Sequence, residues 1–154
     1  MSDTDIWVLS APEDAIASIE VLLASHQLCA SWYPQPIAQN SFQARITANL
    51  AQRDVEDLVS KLAKLCIAFE VSVSGLEPCS FLYHDGLGLR RVALDASGEG
   101  VIRFGELERL MELSQGSNAE LKRLLRLASA TAWYDLLQPY MTGNSSVELM
   151  PRAV

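Results

Sequence analysis

One loop in the middle of the chain combines side chains that could carry out acid–base chemistry. His84 and Asp85 are adjacent, and Gly86 and Gly88 mark a turn between two apolar runs. A carboxylate can fix the tautomer of an imidazole, so the pair could serve as a general base with its orienting group. Adjacent side chains in extended backbone point apart, however, and no nucleophile stands beside them in sequence. The loop is consistent with a small enzyme or with a solvated turn.

Three arginines could bind an acidic ligand. Arg90 and Arg91 follow the loop on a predicted strand, where successive side chains point to opposite faces, and Arg45 lies on an earlier strand. Guanidinium groups bind carboxylates and phosphates through paired hydrogen bonds, and coenzyme A carries phosphates. The arginines therefore support a second hypothesis, a sensor of an acidic or acyl-CoA ligand.

Aromatic residues near prolines form the third group of candidates. Trp32 and Tyr33 precede Pro34 and Pro36, and Tyr134 lies near the end of a predicted helix. Trp and Tyr bury large areas while keeping a polar group, which makes them frequent anchors of protein interfaces. The same residues can close a core instead. They indicate a surface that binds another protein if they are exposed, and core packing if they are not.

Composition excludes several classes of function. The net charge is −7 without a Lys and Arg cluster, so the chain lacks the positive surface of a nucleic-acid-binding protein. Cys29, Cys66 and Cys79 include no Cys-x-x-Cys pair, and we predict no metal and no other cofactor. No apolar stretch approaches the roughly 20 residues that cross a bilayer, and the N-terminus does not resemble a secretory signal. We expect a soluble cytoplasmic protein that binds no membrane.

The spacing of apolar residues predicts the elements of the first half. Residues 6–9 form an apolar run typical of a buried strand, while residues 28–33, 41–50 and 67–74 alternate in the manner of half-buried strands. Helical stripes between these strands predict two helices, the first opened by a Ser10–Glu13 capping box and the second covering about 55–65. The order β-α-β-β-α-β is the ferredoxin-like pattern.

The second half is less regular. Residues 79–83, 87–94 and 101–104 are predicted as strands, followed by a helix over 105–114. A second capping box at Ser117 opens a long helix that should end before Pro139, and residues 147–150 are predicted as a last strand. We therefore predict an α+β protein with one domain over 1–154. Its ferredoxin-like half, 1–75, would be extended or covered by the strands and two helices of 76–154.

The predicted sheet has two unlike faces. Even-numbered residues of the 41–50 strand are mostly apolar and odd-numbered residues are polar, so one face should be buried and the other should be polar. The polar face would present Gln43, Arg45, Thr47, Glu70 and Ser72. A polar sheet face can stay in water or can bind a partner.

Several ordered motifs resemble a family of actinobacterial proteins known as domain of unknown function 3145. The motifs are Val8-Leu9-Ser10-Ala11-Pro12, Trp32 with Gln35-Pro36, Phe69-Glu70-Val71, Tyr83 with Leu87-Gly88-Leu89, Ala132-Trp133, Leu137, and Pro139-Tyr140. The family usually reads Trp-Asp near the end of the last helix. Here Tyr134 separates Trp133 from Asp135, which moves the carboxylate by about 100° around the helix.

The resemblance implies a small cytoplasmic protein without an assigned activity, in a family whose genes often lie near those of fatty-acid synthesis and acyl-CoA carboxylation. No strong catalytic motif is present, so our leading hypothesis is an accessory or regulatory protein that binds another protein. Its partner would be an acyl-CoA carboxylase or a fatty-acid-synthesis enzyme, and a homodimer stays open. The acidic-ligand sensor and the His84–Asp85 enzyme are the alternatives.

Overall fold

The computed structural model describes the backbone of residues 1–152 and the side chains of residues 1–141. The strands in this part of the chain are β1 (Ser2–Pro12), β2 (Tyr33–Pro34), β3 (Ser41–Leu50), β4 (Ala68–Val73), β5 (Cys79–His84), β6 (Gly88–Leu94) and β7 (Gly100–Val101). They form one seven-stranded antiparallel sheet in the order β2-β3-β1-β4-β5-β6-β7. The sheet runs across the predicted boundary at residue 75, because β4 pairs with β5.

Five α-helices accompany the sheet in the described residues. They are α1 (Ile16–Ser25), α2 (Gln52–Lys64), α3 (Phe104–Leu113), α4 (Asn118–Ala128) and α5 (Thr131–Arg152), with a short 3-10 helix at Glu13–Ala15. Among the residues that the structure describes, no helix combines the length and the hydropathy that a membrane span requires.

The first face of the sheet packs against α1 and α2. Strand alternation directs Ile6 and Val8 of β1 to this face, next to Phe69 and Val71 of β4, and all four side chains are fully buried. Both helices contribute apolar stripes at helical spacing. The buried members of those stripes are Ile19, Leu22, Leu23, Val55, Leu58, Val59 and Leu62. This core is the main hydrophobic centre of the N-terminal half.

The second face packs against α5. Trp133 and Leu137 of α5 are buried against Leu9, Leu82 and Val92 of the sheet. Helix α4 packs on α3 and α5. The molecule therefore has three layers, with the sheet in the middle and helices on both faces.

The α+β class predicted from sequence is confirmed, as are the long alternating strand β3 and the amphipathic helix α2. The hairpin of β5 and β6 also agrees within one residue at each end of the predicted strands. Alternation and helical periodicity worked in these segments because each has one buried side and one solvated side.

The strand predicted over 28–33 is wrong, because only Tyr33 and Pro34 pair with β3. Two prolines flank Gln35 there and remove backbone donors, which keeps this edge strand short. The strand predicted over 101–104 is likewise reduced to Gly100–Val101, since α3 already begins at Phe104.

The single long helix after Ser117 and the last strand over 147–150 are also wrong. The chain turns at Ala130, whose φ of 64° lies in the left-handed region, so α4 and α5 are separate and the second half has three helices, not two. Helix α5 then continues through Pro139 and residues 147–150 to Arg152. Proline has no amide hydrogen, so one carbonyl in the preceding turn of the helix loses its partner. Pro139 is exposed, and water can therefore bond to this carbonyl.

Candidate interaction site

Helix α5 divides the polar second face of the sheet into a covered part and an open part. The covered part includes one row of side chains that runs across three neighbouring strands, formed by Trp7, Glu70 and Leu82. The open part carries short polar side chains at the other end of the strands. These are Asp3, Asp5, Thr47, Asn49, Ser72 and Ser74. The polar face predicted from alternation is therefore present, but only part of it faces solvent.

The open part is a groove of about 670 Å³ between the strands and the loop after β6. Three carboxylates line it, Asp3, Asp5 and Asp95, together with hydroxyl side chains such as Thr47 and Ser72. No Lys or Arg is among its lining residues. Over the part of the chain with described side chains, neither Asp3 nor Asp95 forms an ion pair. The residues that line the groove therefore carry a net negative charge.

Arg45 lies next to this groove and is held by Asp5 and Trp7. Its Nη2 donates to Asp5 Oδ2 at 2.7 Å, and its Nε lies 3.2 Å from both carboxylate oxygens. The guanidinium carbon stands 4.6 Å from the centroid of the Trp7 ring. This ion pair and cation–π contact fix Arg45 on the sheet, so its guanidinium already has protein partners in the position where an acidic ligand was predicted.

Glu70 on β4 and Tyr134 on α5 face each other where the helix packs on the sheet. Burial raises the pKa of Glu70, a carboxyl on β4, while the Tyr134 hydroxyl favours its charged form. Burial and the neighbouring Glu70 charge raise the pKa of Tyr134 to about 12. Tyr134 is half-buried, and its hydroxyl is turned into the sheet interface. A tyrosine that was predicted to anchor a partner therefore contributes to the attachment of α5.

His84 and Asp85 do not bond to each other. Nδ1 of His84 accepts a hydrogen bond from the Gly86 amide at 3.0 Å, and Oδ1 of Asp85 accepts one from the Tyr83 hydroxyl at 3.2 Å. The Tyr83 hydroxyl also meets Cys66, and this hydrogen bond, burial and the Asp85 charge raise the pKa of Tyr83 to about 12. The loop therefore contains two separate local hydrogen bonds. The Asp85 carboxylate does not orient the His84 ring, although the enzyme hypothesis requires this.

Arg90 and Arg91 point to opposite faces, as alternation requires. Arg90 lies on the second face, where its Nη2 donates to the Ala128 carbonyl at the end of α4 at 2.6 Å and approaches Glu106 at 3.9 Å. A cation at a helix C-terminus is favourable for the helix dipole. Arg91 lies exposed on the first face and contacts the Cys79 thiol. Three strands separate Arg45 from Arg90, so the predicted arginines are not brought together.

Trp32 and Tyr33 lie at the β2 edge of the sheet in different environments. Trp32 is half-buried and packs against the first-face core, whereas Tyr33 is about half exposed opposite Gln43. Gln35 is buried and donates to the Leu9 carbonyl at 2.8 Å, which anchors the proline segment. Tyr33 is thus the member of this pair that is available to a partner.

The groove carboxylates were missed at the level of the sequence. The apolar run predicts a strand only over residues 6–9, which leaves Asp3 and Asp5 outside it, whereas β1 begins at Ser2. The alternation of Asp3, Asp5 and Trp7 with buried Thr4 and Ile6 is the signal that could have extended the strand. Asp95 comes from a turn and joins the groove only through the tertiary fold.

These observations define an α+β protein with a central antiparallel sheet and an acidic groove beside a covering helix. The family model described as "Protein of unknown function (DUF3145)" matches residues 5–150. The chain belongs to this family, and the predicted resemblance is confirmed. No curated protein and no solved structure matches the chain.

Proposed function

We propose that the protein is a small accessory or regulatory protein that binds another protein and performs no catalytic step of its own. The observation that carries the proposal is the open acidic groove on the second face of the sheet. The polar side chains that line the groove offer hydrogen bonds to an extended segment of a partner. Most of its polar residues, including Asp3, Asp5 and Thr47, lie on paired strands, which gives these residues fixed geometry.

Charge defines the chemistry of the partner. Asp3 and Asp95 line the groove without ion pairs in the described part of the chain, and the whole chain carries −7. A partner segment with Lys or Arg residues would gain hydrogen bonds and favourable potential there. We expect the complex to weaken as salt rises, because exposed charges are screened.

The test is a pair of charge-changing variants used as bait in the native cell. Asp3→Lys with Thr47→Lys changes the groove, and both side chains are exposed. Asp14→Lys with Ser18→Lys makes the same charge change on the exposed surface of the opposite layer. We expect a stoichiometric partner with the wild type and the control pair, and its loss with the groove pair. A bare chain from every bait, or equal recovery by both variants, contradicts the proposal.

The family resemblance supplies the class of partner to examine first. An acyl-CoA carboxylase subunit or an enzyme of fatty-acid synthesis is the candidate, together with a cytoplasmic location. What supports this choice is the gene neighbourhood that the resemblance implies. Mass spectrometry of the captured complex decides it directly.

The two alternatives have less support from the geometry. For a sensor of acyl-CoA or another acid, the three arginines lie apart, with Arg45 bound to Asp5 and Arg90 bound to Ala128. For an enzyme, His84 lacks a bond to Asp85. A thermal shift with acyl-CoA esters would favour the sensor, since a ligand stabilises the state that binds it.

We also propose a ferredoxin-like arrangement for the N-terminal half. Its support is the strand order β2-β3-β1-β4, all antiparallel, with α1 and α2 on one face. In this arrangement the second face of the four-stranded sheet is the surface left for a partner or for added elements. Helix α5 occupies part of it and the acidic groove is the remainder.

A further inference from the structure

The first face of the sheet is uncovered beyond β5, which still contributes Tyr83 and Phe81 to the core. Among the described residues, the core on that face draws no member from β6 or β7. Strand register nevertheless directs several side chains of the last three strands to it. These are Phe81, Leu89, Arg91, Ala93 and Val101, named here the β5–β7 face. Leu89 and Val101 are each more than two-fifths exposed, so an apolar strip with one central arginine faces solvent.

A groove of about 500 Å³ runs between this face and the start of α2. Its apolar lining includes Leu50, Val55, Val73 and Phe81. Leu76, in the turn between β4 and β5, lies at the groove with its side chain fully exposed. A projecting apolar side chain and an apolar groove therefore lie side by side on one surface.

Both signs of charge line the same groove. Arg91 comes from β6, Glu56 from α2, and Glu77 directly follows Leu76. None of the three forms an ion pair with another described residue. The surface thus offers one cation and two anions without ion pairs in the described part of the chain, placed around apolar contacts.

We propose that this surface binds a second copy of the chain about a two-fold axis. In such an interface the same patch meets itself, so it must hold a projection, a groove that receives it, and charges of both signs. When Leu76 of one copy enters the groove of the other, Glu77 of the first copy comes beside Arg91 of the second. Leu89 and Val101 are then buried between the two sheets.

The dimer surface and the acidic groove lie on opposite faces of the sheet. The dimer therefore does not depend on the proposed accessory function, and either can fail alone. A dimer would present two acidic grooves, one on each outer side.

Sedimentation equilibrium of the full chain tests the apolar contact. We expect the wild type to reach twice the 16.9 kDa chain mass at micromolar concentration. Leu76→Asp should weaken self-association by about a hundredfold, because each dimer loses two apolar contacts and gains two buried charges. The control Ile37→Asp changes another exposed aliphatic residue, near β2 at the far edge of the sheet, and should leave the association unchanged.

A charge exchange tests the predicted geometry. Glu77→Arg and Arg91→Glu should each weaken the dimer, since like charges then meet twice per dimer. The double variant should restore association towards the wild-type level. Circular dichroism spectra of all variants should match that of the wild type, as the substituted side chains are exposed. A wild-type chain that stays at 16.9 kDa overturns the proposal. So does equal association of Leu76→Asp and Ile37→Asp, or a double variant no stronger than the single ones.

Discussion

Tyr134 on α5 faces Glu70 on β4 across the interface between the last helix and the sheet. This contact places an ionisable carboxyl beneath the helix that covers part of the polar sheet face. The attachment of α5 therefore combines apolar packing by Trp133 and Leu137 with a polar contact that depends on protonation. Several consequences for stability can be measured.

The first consequence concerns how the free energy of unfolding depends on pH. Burial raises the pKa of Glu70 above about 4.5, with the Asp5 charge adding to the effect and the Tyr134 hydroxyl and Arg45 opposing it. The folded state then binds the proton more tightly than the unfolded state does, so the free energy of unfolding falls as pH rises from 4.5 through the folded pKa. Glu70→Gln removes this loss. Urea denaturation should show the variant gaining stability relative to the wild type as pH rises to neutrality.

Glu20→Gln is the control for this measurement, because Glu20 is an exposed carboxylate on α1. Its stability relative to the wild type should change little across the same pH range. A Glu70→Gln difference that is constant with pH would show that the carboxyl is not held in a desolvated site.

The second consequence concerns the packing of α5. Leu137 is fully buried on the sheet, whereas its neighbour Leu136 is 42% exposed. Leu137→Ala should cost about 2–5 kcal/mol of unfolding free energy, and Leu136→Ala should cost less than about 1 kcal/mol. Circular dichroism during urea denaturation measures the free energy of unfolding of each variant. Equal costs for the two substitutions would contradict the packing of α5 described here.

The third consequence separates two adjacent arginines. Arg90 donates to the Ala128 carbonyl at the end of α4, and Arg91 is exposed on the other face. Arg90→Met should destabilise the fold by about 1–3 kcal/mol through loss of a charged hydrogen bond, while Arg91→Met should change stability by no more than about 0.5 kcal/mol. If the order were reversed, Arg90 would not cap α4 in solution.

The fourth consequence concerns Arg45 and Asp5. A double-mutant cycle with Arg45→Gln and Asp5→Asn should give a coupling of roughly 0.5–1 kcal/mol, the range expected for a half-exposed bidentate ion pair. Arg45→Lys should lose much of this coupling, because lysine lacks the planar fork that meets both carboxylate oxygens. A coupling energy that does not fall with added salt would argue against an electrostatic contact.

Local sequence signals determined most of the fold. The N-cap predicted at Ser117 is confirmed, since Ser117 Oγ accepts from the Glu120 amide at 3.2 Å, although the Glu120 carboxylate pairs with Arg123 and does not complete a capping box. The equivalent box at Ser10 is wrong, because Ser10 belongs to β1 and its Oγ bonds to Ser41 Oγ at 2.6 Å. The two boxes have the same residue types, so a partner 31 positions away decided between them.

Features set by tertiary contacts could not be predicted. The break at Ala130 has no residue-type signal, since alanine rarely adopts a positive φ and favours helix. The sequence left open whether the second half extends the sheet or covers it, and only the contacts of Trp133 and Leu137 decide that α5 covers the second face. The exposed part of the polar sheet face could not be predicted for the same reason. The position of α5 decides which polar side chains stay in solvent.

The binding role of the acidic groove can be tested most directly by photo-crosslinking in the native cell. A photoreactive residue at Thr47 lies in the groove, and one at Ser18 lies exposed on α1 in the opposite layer. We predict a discrete crosslink to another protein from position 47 and none to that protein from position 18. No crosslink from position 47, or the same crosslink from both positions, would contradict the proposed role of the groove.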